Sequence, residues 1–301
     1  MLRTWGRRLY APLVLVGFNG AAIWMFSTSN RLDLVRLLVL FAAAIAVSFS
    51  AERWIPYQQA WNLGRQDGRR DVSHTLVNET ITFLSVGLIP GMTMVRRWRA
   101  AWPDHWPLVG QVLLAIIVAD ICITLAHYIS HRWAWLWRFH LPHHASERLY
   151  GLNGFIQHPL HQAFEVTLGA LPLVMIGLPR RVGLLLAFAV AIQLLLQHSN
   201  VDIRLGPLRY LLAVGPVHRR HHTRRFKGFG VNFGLFTNLW DLLLGVADVR
   251  EDSDIAAEDV GLGDYESCPA GYGRQLAYPF LRQAAPGAAP GERFLRRTAS
   301  D

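Results

Sequence analysis

The chain has 301 residues, of which 52% are hydrophobic and 11 are Trp, with a formal net charge of +9 and a mean hydropathy of +0.22. Those values exclude both an ordinary soluble domain and a disordered chain. The positive charge is almost entirely arginine, with one lysine, Lys227, and the arginines flank long apolar runs as membrane-bordering residues do.

The first apolar run extends from about Tyr10 to Phe26 and follows Arg3, Arg7 and Arg8. It is long enough to span a membrane. No small-residue cleavage site follows, and a second run, about Leu34 to Phe49, comes at once, so the segment reads as a retained helix rather than a signal peptide. Residues 1–50 are therefore predicted to form a membrane hairpin. Arginines at both its ends, with Arg53, Arg65, Arg69 and Arg70 behind it, place those ends on the cytoplasmic side.

A third run, about Thr75 to Val95, is interrupted by Pro90 and Gly91 and followed by Arg96, Arg97 and Arg99. A full crossing would put those arginines outside, so a re-entrant or interfacial ending stands as the alternative. The fourth run, Leu108 to Ala126, leads into a histidine cluster. The fifth and sixth, about Phe164 to Leu178 and Val182 to Leu196, are short and predict a hairpin that dips into the bilayer without crossing it. Residues 248–301 form a polar extension whose last part, Ala284 to Asp301, reads as disordered. Cys122 and Cys268 lie far apart, which argues against a disulfide framework or a cysteine-ligated metal.

The histidines are patterned. His127 and His131 stand at i and i+4, and His140-x-x-His143-His144 follows; the same triplet recurs as His218-x-x-His221-His222. On a helix, i and i+4 differ by about 40° and 6 Å of rise, so both rings face one way. With 13 His in 301 residues, chance gives about 0.02 copies of His-x-x-His-His. Eight histidines converging on one site exceed what one zinc ion accepts, so two metal ions fit better.

Other histidines are placed by position. His198 ends the sixth run as His127 ends the fourth, and so joins the cluster. His158 is a further candidate ligand; its alternative is a turn residue capped by Pro159. His74, His105 and His161 have no patterned neighbours and read as surface or interface residues. Asp120, two turns before His127, is placed to accept the Nδ1–H of a ligand histidine, or else to line a helix contact. Of Trp133, Trp135 and Trp137, at least two read as interfacial anchors.

These segments resemble the fatty acid hydroxylase/sterol desaturase superfamily. The resemblance rests on His127-x-x-x-His131, WLWRFHLPHH, the HPL at 158–160, QHSN at 197–200, LGPLRYLLAVGPVHRRHH and NFGLFTNLWDLLLG, with ERWIPYQQAWN upstream. It covers roughly residues 50 to 247, which makes 51–247 the family-like domain. It implies an all-α integral membrane enzyme with four to six membrane helices and a cytosolic helical cap carrying a histidine-rich diiron centre. It also implies O2 as oxidant, a separate electron-transfer protein or reductase, and the ligand set His127, His131, His140, His143, His144, His198, His218, His221 and His222. Members oxidise sterols, fatty acyl chains, alkylglycerol ethers or carotenoids, by hydroxylation or desaturation. The chain departs from the family pattern at Tyr128, where arginine is common, and at His161, where an acid is common.

Cleaving an unactivated C–H bond needs an oxidant that side chains cannot make. Nitrogen ligands suit iron and zinc alike, so zinc as the isolated metal, and a zinc hydrolase, stay as alternatives. The hydrolase lacks a His-Glu-x-x-His motif, with Glu147 the nearby acid. A metal transporter would put its ligands mid-membrane on broken helices rather than at helix ends. Arg219, Arg220, Arg224 and Arg225 resemble a nucleic-acid patch, but beside membrane helices they are expected to meet lipid head groups or an acidic electron donor. No haem, flavin or ferredoxin motif is present, so the donor is a separate chain. The expected location is a bacterial inner membrane, multi-pass, with the active site facing the cytoplasm.

Overall fold

In a computed structural model of the chain, residues 1–28, 34–92, 101–224, 230–250, 255–262 and 267–281 are described, and the side chains of 87–92 are left aside. The described residues form helices and loops with three isolated bridges and no strand. The long helices are α1 (Leu2–Ser27), α2 (Leu34–Trp54), α3 (Gly68–Met92), α4 (Leu108–Arg132), α6 (Pro159–Met175) and α7 (Arg180–His198). Shorter helices are α5 (Ala134–His144), α8 (Gly215–His221), α9 (Leu239–Leu244) and α10 (Tyr272–Ala277).

Among the described residues four helices, α1, α2, α4 and α7, are long and apolar enough to cross a membrane. What distinguishes them is which side is left bare. On α4, Val109, Leu113, Ile117, Ile121 and Leu125 are exposed at every fourth position, while Val112, Ala115, Ala119, Thr124, His127 and His131 are buried. Large aliphatic side chains in solvent would be an aggregation hazard; facing lipid they are at home. Helix α2 exposes Leu34, Val35, Leu38, Val39 and Val47 in the same way. Helix α7 is the opposite case, apolar all round and buried along nearly its whole length, so it is the core around which α1, α2, α3 and α4 pack.

The sixth run thus differs from the expected shallow hairpin: α7 alone meets the length of a crossing, while its partner α6 falls short. Helix α3 continues through Pro90 and Gly91 to Met92, and Arg96, Arg97 and Arg99 lie outside the described residues. The tail from Ala284 lies outside them as well.

The cap sits at the C-terminal ends of α4 and α7. Trp133, extended at φ −106° and ψ 111°, breaks α4 from α5 and turns the chain back over the helix end. The segment behind α2 folds onto this cap. Arg148 grips Asp67 with two bonds, 2.8 and 2.7 Å, and the Trp61 carbonyl with a third at 2.9 Å. The extension beyond 248, polar overall, contributes Ile255 and Val260 to a small core with Trp61 and Leu149. Further on, Phe280 packs on Phe139 of α5 with ring centroids 5.6 Å apart.

Candidate metal centre

Nine histidines come together in two adjoining buried groups: His127, His131, His140, His144 and His221 in one, His143, His198, His218 and His222 in the other. Within each group the potential ligand atoms lie within 4.8 Å of one another. Each His-x-x-His-His motif is divided between the groups. Its i and i+4 members, about 40° apart, stay together, whereas the i+3 member is rotated about 100° from the i+4 ring and faces the other group. His140 and His144 therefore serve the first group and His143 the second; downstream, His218 and His222 serve the second and His221 the first. His144 and His222 stack across the divide at 4.6 Å and 25°.

Backbone carbonyls fix the tautomers. His127 Nδ1–H donates to Phe233 O at 3.0 Å, His143 to Ile156 O at 3.0 Å, His198 to Leu194 O at 3.0 Å and His221 to Val231 O at 2.8 Å. That leaves each Nε2 as a bare lone pair. His127 Nε2 is buried with no hydrogen-bond partner. The Nε2 atoms of His143 and His198 face each other at 3.4 Å, and His198 lies 3.2 Å from both His218 and His222. The bare lone pairs of His143 and His198 repel at that distance unless a cation lies between them. Metal–nitrogen bonds of about 2.1 Å at angles of 90–110° would set neighbouring nitrogens about 3.0–3.4 Å apart. The donor set therefore fits two metal ions, one per group.

Burial, with neighbouring rings adding to it, holds His140, His144, His218, His221 and His222 well below the ordinary imidazole range, and burial holds His143 down at about 4. The rings are neutral at pH 7, the state in which imidazole binds metal.

Other expectations are corrected. Asp120 does not reach a histidine; its carboxylate accepts from Phe236 N at 2.7 Å, Thr237 Oγ1 at 2.6 Å and Trp240 Nε1 at 2.9 Å. Seven residues of helix, about 10 Å, separate it from His127, and the loop that orients His127 has come to occupy it instead. His158 lies outside both groups: its Nδ1 caps α6 by accepting from Leu160 N at 3.1 Å, and Nε2 bonds Leu276 O at 3.1 Å. His161 is no surface residue. It is buried, packs on His140 with ring centroids 4.5 Å apart, and its Nε2 lies within hydrogen-bond distance of Ser130 Oγ at 2.9 Å. His74 is likewise buried, between Gln157 O at 2.9 Å and Gln275 Oε1 at 2.8 Å, while His105 is exposed.

The two arginines within the last motif point inward. Arg219 is 1% exposed, lies 3.7 Å over the Tyr57 ring and donates to Val201 O at 3.1 Å; Arg220 is buried against Asp248 and the Arg250 carbonyl. Both hold the cap together rather than meeting a partner, and Arg225 lies outside the described residues. Trp133 and Trp135 are exposed, whereas Trp137 is buried against His131 at 4.9 Å. Glu147 is exposed and paired with Arg65 at 2.9 Å, away from the histidines.

Sequence reasoning missed Gln193 and Gln197. These two amides in an apolar helix donate to the carbonyls of Ala213 and Leu235, Gln197 also to Gly234, and so lash α8's approach and the Phe233 loop to α7. Their spacing of four inside an otherwise aliphatic run was the available signal.

This is an all-helical membrane protein with a buried, histidine-lined site suited to two metals. Residues 112–246 match the fatty acid hydroxylase family model. Ornithine lipid hydroxylase OlsE of Rhizobium tropici is 29% identical over 91% of this chain and 84% of its own length. Alkylglycerol monooxygenase of Danio rerio is 27% identical over 71% of the chain, which spans half of that protein. Very-long-chain aldehyde decarbonylase GL1-1 of Oryza sativa subsp. indica is 25% identical over 80% of the chain and 41% of its own length. No solved structure matches. The chain thus resembles the fatty acid hydroxylase family over a little under half of its length.

Proposed function

We propose that this protein is a membrane-bound, O2-dependent oxygenase that hydroxylates or desaturates a lipid, with two iron ions held by the nine histidines. His127, His131, His140, His144 and His221 would hold one iron, and His143, His198, His218 and His222 the other. The observation that carries the reading is the convergence of Nε2 atoms at 3.2–3.4 Å around His198, with the Nδ1 protons of His143 and His198 committed to backbone carbonyls so that their Nε2 lone pairs face each other bare. When bound, the irons would supply O2 activation and the oxidising power that C–H cleavage needs.

The chain's own residues do the rest. The carbonyls of Phe233, Ile156, Leu194 and Val231 hold rings in one tautomer, so metal binding requires no reorientation. Trp137 and Phe233 pack against the rings and keep water from the first group. A largely apolar cavity between α3, α4, α6 and α7 gives a hydrocarbon chain a dry approach. The cap lies on the side of Arg53, Arg65, Arg69 and Arg70, which favours a cytoplasmic face of a bacterial inner membrane and access for a separate electron donor.

The test is metal content and Mössbauer spectroscopy of iron-loaded protein, wild type beside His143→Ala and His221→Ala. Two irons per chain with a coupled diferric signal, lost in both variants, is the expected result. Zinc alone after growth in iron-rich medium would move the reading to a hydrolase, and no bound metal would overturn it.

A further inference from the structure

The cavity is not uniformly apolar. Its wall follows α6 from Gln162 to Val174 and α7 from Leu194 back to Gly183, about 17 Å of helix at 1.5 Å per residue. One end lies level with the histidines: Ile123 and Leu194 stand one turn before His127 and His198, and Gln162 follows His161, which packs on His140. The far end, at Val174, Leu178 and Gly183, is aliphatic.

Polar side chains line the end near the histidines. Gln162 donates to Thr82 Oγ1 at 3.0 Å, and the Thr82 hydroxyl donates to Asn78 O at 3.1 Å, so these two are satisfied within the protein. Glu79, one turn before Thr82 on the same face of α3, also lines the cavity. It has no hydrogen bond or ion pair with any described residue. A carboxylate in an apolar wall is costly unless it is neutral or meets a positive partner. Among the described residues none is placed to be that partner, and the side chain lines the space where a ligand would lie.

We propose that Glu79 selects lipids that carry a positively charged amine. The ammonium pairs with the carboxylate at the histidine end of the cavity, and the hydrocarbon tail extends between α6 and α7. This rests on the lipid-oxygenase reading for the cavity's occupant. In surroundings of low polarity an ammonium–carboxylate attraction is stronger than in water, and the same carboxylate repels a lipid with an anionic head, which gives discrimination in both directions.

The experiment measures binding of dodecylamine, dodecanol and dodecanoate to metal-free protein by native mass spectrometry from detergent. Wild type is expected to bind dodecylamine at least tenfold more tightly than dodecanol and dodecanoate least. Glu79→Gln should bring the amine to the level of the alcohol while leaving dodecanol binding intact, which shows that the cavity still folds; Glu79→Asp should keep the preference for the amine. Equal amine affinity in wild type and Glu79→Gln, or an amine that binds wild type no better than the alcohol, overturns the proposal. Because metal is left out, this result is independent of the iron measurement that tests the oxygenase reading.

Discussion

His127 donates its Nδ1–H to the Phe233 carbonyl 3.0 Å away, and the Phe233 N–H is in turn held by Asp241 at 2.7 Å. Asp241 also accepts from Gly234 N at 2.8 Å, and Asp120 takes Phe236 and Thr237 further along the loop. A ring on α4 is thus aimed by a loop more than a hundred residues downstream, pinned by two carboxylates. Removing the pin should loosen the first group alone. Asp241→Ala is expected to weaken metal binding there by roughly 10–100-fold and to leave the His143 group's affinity unchanged. Competitive chelator titration reads the two affinities separately, and an equal loss at both would refute the division of labour.

The same carboxyl gives the loop a pH dependence. Burial pushes Asp241 up to about 6, against the pull of its two N–H bonds, with Asp120 nearby adding to the rise. An acid raised above its unfolded value of about 3.9 binds its proton more tightly in the folded state. Its contribution is complete below that unfolded value and is lost as pH rises through about 6. Hydrogen-exchange protection of residues 230–245, corrected for intrinsic rates, should fall between pH 5 and 7 in wild type. Asp241→Asn, which does not titrate, should flatten the profile; an unchanged slope would assign it to another group.

Ligand assignment by geometry rather than by motif makes a sharper demand. His221 lies in the downstream motif, yet its ring packs at 4.5 Å on His127 and 4.7 Å on His144. We expect His221→Ala to resemble His140→Ala, and His143→Ala to resemble His218→Ala, in which of the two metals is lost. Substoichiometric cobalt substitution followed by optical spectroscopy would sort the variants into these pairs. A sorting by motif, with His221 grouped beside His218, would contradict the arrangement.

The two triplets and their membrane helices were legible because they rest on local periodicity, which the helix enforces. What periodicity cannot carry is the destination of a side chain after the backbone turns. Asp120 and His127 share a helical face, but a loop from beyond residue 230 intervenes and takes the carboxylate. Arg219 belongs to a basic run that suggested a surface, yet Tyr57, far upstream, offers its ring and buries the guanidinium. His161 stands alone in sequence, and only the packing of α6 on α4 brings it to Ser130 and His140. Each of these depends on a contact across the fold, and a single sequence without homologues holds no trace of such a pairing.

Gly154 shows how closely the cap is fitted to α7. A Cβ there would meet Leu194 O at 2.7 Å and His198 Nδ1 at 2.9 Å. Neither can yield easily, since that carbonyl accepts the His198 Nδ1–H at 3.0 Å and so sets the ring that faces His143, His218 and His222. Gly154→Ala should therefore cost about 1–3 kcal/mol in overpacking and displace His198, with occupancy of the second group falling before that of the first. Gly64, whose added Cβ would meet nothing within 4 Å, is the control, and Gly64→Ala should stay within about 0.5 kcal/mol of wild type. Thermal unfolding in detergent, read beside metal content per chain, separates the two effects. Full two-metal occupancy in a destabilised Gly154→Ala would show that the turn supports the fold without setting His198.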